Sequence, residues 1–442
     1  MKTNFVFVTA ALMALCLGFS SCKDKNKGNN DQTAVTEQLS PEENKEHLVS
    51  VADKISSKFN TRDQQEAIDL ADGLIDKYED YDFEGLQDVF VGEFEKMMKM
   101  PKYVIGVLQG NHSPAATPEE AFNFDYTKFC VEFEADEQNK TWINRGQTTD
   151  NSVILRFKDK NGTQCEAKCQ ALGQVKTYQV DIDGNSYIAN APAKVVFYLK
   201  KGNTEIVRVE VEQNIDLNAP SVAISTYAKV ANLSWKEDAN ITKTSASAAF
   251  KILCSDEAII SVVANLPSYQ MIDKPSYEDF DDWFEDIADQ YDRIARTAKG
   301  CDGSLDLMGM VQAKAKIYNA GEVYGQIYDW AQRDHSERDR AYMQQLCDII
   351  NNGQENGLYY NSDTKQAEIR MQLMQEGEYY YPEPVLYFPQ DGTSYAFDGY
   401  FDINQGPFAQ MMQTFEDLAN KYIALARVFD PNIPDIDITP NN

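Results

Sequence analysis

The side chains that most often carry catalysis or bind metals are sparse and scattered in this sequence. Its three histidines, His47, His112 and His335, stand in different segments, and none lies at metal-ligand spacing from another. The chain contains no Gly-x-Ser-x-Gly, no His-Glu-x-x-His, no phosphate-binding glycine loop and no dinucleotide fingerprint. We therefore expect no catalytic residues, no metal and no cofactor. Enzymatic activity is left open but disfavoured, because a hydrolase that needs only two carboxylates is neither excluded nor supported by 70 acidic residues.

Cys22 is the cysteine with the most informative setting. It follows a single charge at Lys2, an apolar run from Phe5 to Phe19, and the small residues Ser20 and Ser21. This pattern predicts a secretory signal peptide over residues 1–21. The apolar run has about 15 residues, fewer than the roughly 20 that a helix needs to cross a bilayer. Cleavage before Cys22 would therefore leave its thiol at the new N-terminus.

The sequence Phe19-Ser20-Ser21-Cys22 resembles the lipobox of bacterial lipoproteins, in the relaxed form found in Bacteroidetes. The resemblance covers the signal peptide and lipobox only, and no family is recognised for the mature body. It implies that Cys22 is lipidated, for example with palmitate, and two or three acyl chains anchor a protein firmly. Because Lys23 replaces the aspartate that favours inner-membrane retention, it also implies the outer membrane, with the periplasmic face and the cell surface both open. The alternative is an ordinary secretory signal in which Cys22 is one more thiol.

Composition limits the possible partners. The 41 basic and 70 acidic residues give a net charge of −29, which repels polyphosphates and disfavours nucleic acid. A hydrophobic content of 43% is enough to bury a core. The expected partners are the membrane, through the lipid on Cys22, and a lipid, glycan or envelope-protein ligand.

Six cysteines remain after Cys16 and Cys22 are set aside: Cys130, Cys165, Cys169, Cys254, Cys301 and Cys347. In an exported protein they permit a disulfide framework, whose connectivity stays open among about 15 pairings. One pair is excluded if Cys165 and Cys169 share a strand. Their Cα atoms would then lie roughly 13 Å apart, whereas a disulfide tolerates about 7 Å.

The hydrophobic periodicity predicts an α+β fold. Helical spacing of Leu48, Val51, Ala52 and Ile55 begins an N-terminal helical region, and alternation such as Val207, Val209 and Val211 indicates an antiparallel β-meander of about seven to nine strands. The predicted order is a flexible lipidated tether (22–41), helices (42–101), the antiparallel sheet (122–268), a central helical block (275–352), a short aromatic-rich β-segment (357–403), a C-terminal helix (407–429) and an extended tail (430–442).

The central helical block is expected to contain helices from Leu305 to Trp330 and from Ser336 to Ile350. The β-segment that follows carries a strip of aromatic residues between Tyr379 and Phe401. Exposed aromatic rings can stack on sugars, so Tyr380, Tyr387 and Tyr395 are candidate ligand-binding residues; the alternative is that the strip forms the core of a small sheet.

The sequence thus supports three functional hypotheses. The leading one is a lipid-anchored cell-envelope protein that binds or scaffolds without catalysis. The second is a surface glycan-binding module that uses the aromatic strip, and the third is a carboxylate-dependent hydrolase. The ligand and the oligomeric state are not encoded in any motif of this chain.

Overall fold

The computed structural model describes residues 34–58, 65–67, 69–70, 77–78, 81, 130–182, 185–216, 221–270, 295–333, 336–397, 400, 406–411 and 413–414. The side chains of residues 174–191 are outside this description. So are residues 1–21 with the predicted signal peptide, Cys22, His112 and His335, the end of the predicted helical region (82–101), the start of the predicted central helical block (275–294), and the chain after residue 414.

In the described residues, sixteen strands form one sheet. Their order is β16-β15-β14-β13-β12-β11-β10-β9-β8-β7-β6-β5-β4-β3-β1-β2, so nearly every strand pairs with its neighbours in sequence. All pairs are antiparallel except β1 with β3, which is parallel. The strands are Val131–Asp136 (β1), Thr141–Gly146 (β2), Ser152–Lys158 (β3), Gln164–Ile182 (β4), Asn185–Lys201 (β5), Thr204–Asp216 (β6), Ser221–Val230 (β7), Leu233–Thr242 (β8), Ala246–Cys254 (β9), Glu257–Ser268 (β10), Gly300–Leu307 (β11), Val311–Ile317 (β12), Gln354–Tyr359 (β13), Lys365–Glu376 (β14), Tyr379–Phe388 (β15) and Thr393–Ala396 (β16).

This architecture corrects the predicted α+β class, because the central helical block is wrong. Two strands, β11 and β12, occupy most of residues 300–317, which were expected to be helical, and they join the meander to the aromatic-rich strands. In β12 the side chains of Val311, Ala313, Ala315 and Ile317 are buried in alternation with exposed or half-buried neighbours. In the described part of the block, the helices Ala320–Ala331 (α2) and Arg340–Gly353 (α3) are inserted between β12 and β13.

The predicted N-terminal helix is present as α1, Pro41–Lys58. Ser40 and Glu43 form a reciprocal capping box, in which the Glu43 N–H donates to Ser40 Oγ (3.3 Å) and the Ser40 N–H donates to Glu43 Oε2 (2.8 Å). Pro41 then occupies the first helical position, where its missing N–H costs nothing. These local signals explain why the helix begins at residue 41.

The apolar stripe of α1 packs on one face of the sheet, which we call the covered face. Leu48, Val51, Ala52 and Ile55 are each at most 3% exposed and share a core with residues of β8 to β15. At the other end of the sheet, Tyr78 and nearby residues cover β3 to β7, and the Tyr78 hydroxyl donates to the Lys158 carbonyl (2.9 Å). The opposite face of β6 to β10 is called the open face.

The last part of the predicted tether is attached to the body. Residues 35–39, here called the clamped segment, run along the turn between β13 and β14, where the Val35 N–H donates to the Tyr360 carbonyl (3.2 Å). The buried side chain of Gln366 accepts a hydrogen bond from the Leu39 N–H (2.9 Å) and donates to the Glu37 carbonyl (2.9 Å). The predicted flexible tether therefore does not extend to residue 41, because the chain is attached to the body from Val35 onwards.

The β4–β5 hairpin extends beyond both neighbouring strands. Its two strands pair as far as Ile182 with Asn185, whereas β3 pairs with β4 only as far as Gln170. A register shift between Leu172 and Val175 marks the departure, and Gly173 adopts a φ of +81° there. Glycine is favoured at this position because side chains with a Cβ are strained at such a φ.

Candidate functional site

A groove crosses the open face of the sheet over β6 to β10. It has a volume of about 330 Å³, and among the described residues all those that line it belong to these five strands. Its floor is made by small side chains on β7 and β9, namely Ala223, Ser225, Ser247 and Ala249. Small residues at these positions leave space above two strands that larger side chains would fill.

The side chains above this floor form two rows, because the antiparallel register aligns them across the strands. The amide row contains Asn214 on β6, Asn240 on β8 and Asn265 on β10, with Ala223 and Ser247 aligned between them. Neighbouring strands are spaced by about 4.8 Å, so successive amides stand about 9.6 Å apart. The result is a regular ladder of groups that both donate and accept hydrogen bonds.

The carboxylate row runs beside the amide row, two residues away along each strand. It contains Glu212 on β6 and Asp238 on β8, and it continues to Val263 on β10. Two residues of strand correspond to about 6.8 Å. Each of β6 and β8 therefore presents one carboxylate and one amide to the groove.

Asp238 is held in its ionised form. Burial alone would raise its pKa, but the Ser225 hydroxyl donates to Asp238 Oδ1 (2.7 Å) and Lys236 Nζ lies 3.0 Å from Oδ2, so its pKa is lowered overall. Asn265 Nδ2 donates to Asp302 Oδ2 (3.1 Å), which fixes the orientation of that amide. The groove is thus lined by oriented polar groups, and each of its two carboxylates has a lysine within 4 Å.

A second depression of similar volume, about 330 Å³, lies where β13 and β14 separate. Here Asn351 and Asn356 each use both side-chain polar atoms to bond the backbone of β14, at Met371 and Ile369 respectively (2.7 to 2.8 Å). These amides replace a missing stretch of ladder. They are committed to the fold, so we favour the groove on the open face as the candidate site.

The aromatic strip does not form one platform. The register places Tyr380 and Tyr395 on the covered side of the sheet and Tyr387 on the other. Tyr395 packs against Phe388 and Tyr400, with centroids 5.7 and 5.8 Å away, and the Arg370 guanidinium lies 3.7 Å from the Tyr387 centroid. The exposed rings of β15 are instead Tyr379 (48%) and Tyr381 (40%). The three predicted tyrosines are therefore not brought together.

The predicted cysteines and histidines are likewise dispersed. Cys165 and Cys169 both lie on β4, as required for the excluded pairing, and Cys301 and Cys347 are buried free thiols elsewhere. Burial raises the pKa of Cys169 to about 12. Across the residues described, no group of three or more His, Cys, Asp or Glu side chains is arranged to hold a metal ion. Within the same ranges, no helix combines the length and hydrophobicity needed to span a membrane.

Carboxyl groups give no sign of a catalytic acid in the described part of the chain. Wherever a shift is resolved there for an aspartate or glutamate, hydrogen bonds or neighbouring cations lower its pKa. A glycosidase needs one carboxyl group with a raised pKa to protonate the leaving group. Asp238, which lines the groove, therefore does not have the raised pKa that this role requires.

A buried ring nitrogen of His47, a residue of α1, is a second notable feature. His47 stacks on Tyr360 with ring centroids 4.1 Å apart, and its Nε2 is buried without a hydrogen-bond partner. Burial lowers the pKa of His47, the backbone of Met310 opposes this effect by hydrogen bonding, and Lys54 adds to it. The imidazole is therefore neutral in the folded protein near pH 7.

Comparison with known proteins yields no relative: no protein-family model, no curated protein and no solved structure matches this chain. Function must therefore be argued from the groove and the N-terminal sequence. The sequence offered a weak signal for one part of the groove, since Asn214 follows the alternating Val207, Val209 and Val211 on β6. What it lacked was the register that aligns Asn214 with Asn240 and Asn265.

Proposed function

We propose that this protein is anchored in the outer membrane through lipidated Cys22 and binds a ligand, without turnover, in the groove on the open face of its sheet. The observation that carries the binding role is the groove itself, with its aligned amides, ionised Asp238 and floor of small residues. Ligand sites are concave and place a few polar groups that fix orientation. The anchor rests on the lipobox resemblance of Phe19 to Cys22.

The anchor and the body are close together in this proposal. The clamped segment begins at Val35, so only residues 23–34 separate the lipidated cysteine from the sheet. The polar composition of that stretch predicts a coil with a root-mean-square reach of about 20 Å. A groove held this near the membrane would meet ligands of the envelope in preference to ligands in bulk solution.

Two measurements test the proposal. Cells that produce the wild-type chain and Cys22→Ser are grown with radiolabelled palmitate and fractionated. We expect label and membrane association for the wild type only, and an unlabelled wild type in the soluble fraction would overturn the anchor.

The binding role is tested by gentle extraction of the wild type and Ser247→Trp, followed by mass spectrometry of the molecules that co-purify. Ser247 is exposed on the floor of the groove, so a tryptophan there fills the site while remaining compatible with a strand. We expect a co-purifying ligand that Ser247→Trp loses. Identical recovery from both proteins would count against the groove.

A further inference from the structure

The two rows in the groove carry information about the shape and charge of the ligand. We propose that the groove binds a neutral, extended, β-1,4-linked glycan that lies across β6 to β10; this inference rests on the proposed function and specifies its ligand. Hydroxyl groups of sugars both donate and accept hydrogen bonds. Amide side chains complement both roles, and carboxylates accept from hydroxyls.

The spacing of the rows favours a glycan over a peptide. Asn214, Asn240 and Asn265 recur about every 9.6 Å across the sheet. An extended peptide presents equivalent backbone groups every two residues, about 6.8 Å, so a ladder of this spacing does not match it. The two-sugar repeat of an extended β-1,4-linked chain nearly equals one step of the amide row. Successive disaccharides would therefore meet the same pair of amide and carboxylate groups, first on β6 and then on β8.

Charge narrows the class further. Glu212 and Asp238 both line the groove, and the lowered pKa of Asp238 keeps that carboxylate ionised. Two carboxylates repel a polyuronic or sulfated chain, which would have to bury like charges together. Each carboxylate has one lysine nearby, Lys236 at 3.0 Å from Asp238 and Lys194 at 3.8 Å from Glu212, so these groups leave no excess positive charge to attract a polyanion. This charge balance favours an uncharged sugar chain.

An aromatic ring borders the rows. Tyr227 lies on the same face of β7 as Ala223 and Ser225, two residues beyond Ser225, and it pairs in register with Glu210 and Lys236. A tyrosine ring at the margin of a polar groove can contact the apolar face of a sugar. It completes the combination of hydrogen-bonding and apolar surfaces that polysaccharides require.

The test uses the full chain in detergent and isothermal titration calorimetry with four probes. These are neutral β-1,4-linked hexasaccharides of glucose and of N-acetylglucosamine, an acidic hexauronide, and an uncharged extended decapeptide. We expect at least one neutral sugar to bind, with the hexauronide at least about tenfold weaker. Asn240→Ala should weaken neutral-sugar binding by about tenfold, as expected for loss of a hydrogen bond worth about 1.4 kcal/mol.

Controls separate loss of recognition from loss of structure. Asn203→Ala changes an exposed asparagine in the β5–β6 turn, eleven residues before Asn214 in the sequence, and should bind like the wild type. Asn240 is itself exposed, so its truncation should leave the melting temperature within about 2 °C of the wild type. Thermal unfolding of each variant verifies this.

Several outcomes would overturn the glycan assignment. They are failure of both neutral sugars to bind, equal binding of the hexauronide, or neutral-sugar binding that is unchanged in Asn240→Ala and Ser247→Trp. Peptide binding alone, lost in Ser247→Trp, would also overturn it, yet would leave the groove as a binding site. If no co-purifying molecule and no probe responds to Ser247→Trp, the proposed function fails as well.

Discussion

Truncation of Ile55 to alanine measures how much the fold depends on α1. The Ile55 side chain is 1% exposed and lies in a core with Leu233 on β8, Ile259 on β10 and Val311 on β12. Loss of three carbons removes about 2.4 kcal/mol of transfer free energy at about 0.8 kcal/mol each, and the cavity left behind adds to this cost. We expect Ile55→Ala to lower the free energy of unfolding by about 3 kcal/mol.

The assay is urea unfolding followed by tryptophan fluorescence, with Asp53→Ala as the matched control on the exposed side of the same helix. With a denaturant dependence of about 3 kcal/mol per molar urea, the midpoint of Ile55→Ala should fall by about 1 M. Asp53→Ala should change stability by no more than about 0.5 kcal/mol. Equal midpoints for the two variants would refute the packing of α1 on the covered face.

Three further variants probe other parts of the fold. Gln366→Ala leaves two backbone groups of the clamped segment unpaired, so we expect a loss of about 1–3 kcal/mol and faster proteolysis before α1, whereas exposed Gln372→Ala should behave like the wild type. Because the pKa of His47 is lowered in the folded protein, the unfolded chain binds the proton at a higher pH than the folded chain does. The free energy of unfolding should therefore fall as the pH drops below about 6.5. Thermal unfolding at pH 7.5 and 5.5 should show a smaller decrease in melting temperature for His47→Gln than for the wild type. Gly173→Val should cost about 1–3 kcal/mol through strain at φ +81°, and Gly173→Asn less, since asparagine tolerates positive φ; equal melting temperatures would contradict this reasoning.

Local patterns were sufficient where the signal was strong. The four apolar residues from Leu48 to Ile55 predicted α1, and the alternation of Val207, Val209 and Val211 predicted β6 within an antiparallel meander. Both are confirmed because each pattern matches the period of its element and one face of each element is buried. The ends of β4 and β5 were less predictable, since their hairpin continues past the partners that define the rest of the sheet.

The central helical block shows where local propensity misleads. Between Val311 and Ile317, Gln312, Ala313, Lys314, Ala315 and Lys316 are residues that favour or tolerate helices. Pairing with β11 and β13 overrides this preference, because it buries one side of the segment in the sheet. The alternating pattern is present in the sequence but spans only Val311–Ile317, whereas the predicted helix ran from Leu305 to Trp330.

The position of the groove could not be predicted from the sequence, because it too depends on the pairing of strands. Asn214, Asn240 and Asn265 are separated by about 25 residues each and meet only through the register of five strands. A slip of one residue in any strand would send its amide to the covered face. The aromatic strip, by contrast, was conspicuous in sequence, yet Tyr395 serves the core and Arg370 covers one face of Tyr387.

The most direct test of the groove as a binding site is photo-crosslinking in the producing cells. A benzophenone amino acid is placed at Tyr227, at the margin of the groove, and separately at Asn203 in the distant β5–β6 turn. We expect an ultraviolet-dependent adduct from position 227 that is absent from position 203 and is lost when Asn240→Ala is added. No adduct at position 227, or the same adduct at both positions, would contradict the role of the groove as a binding site.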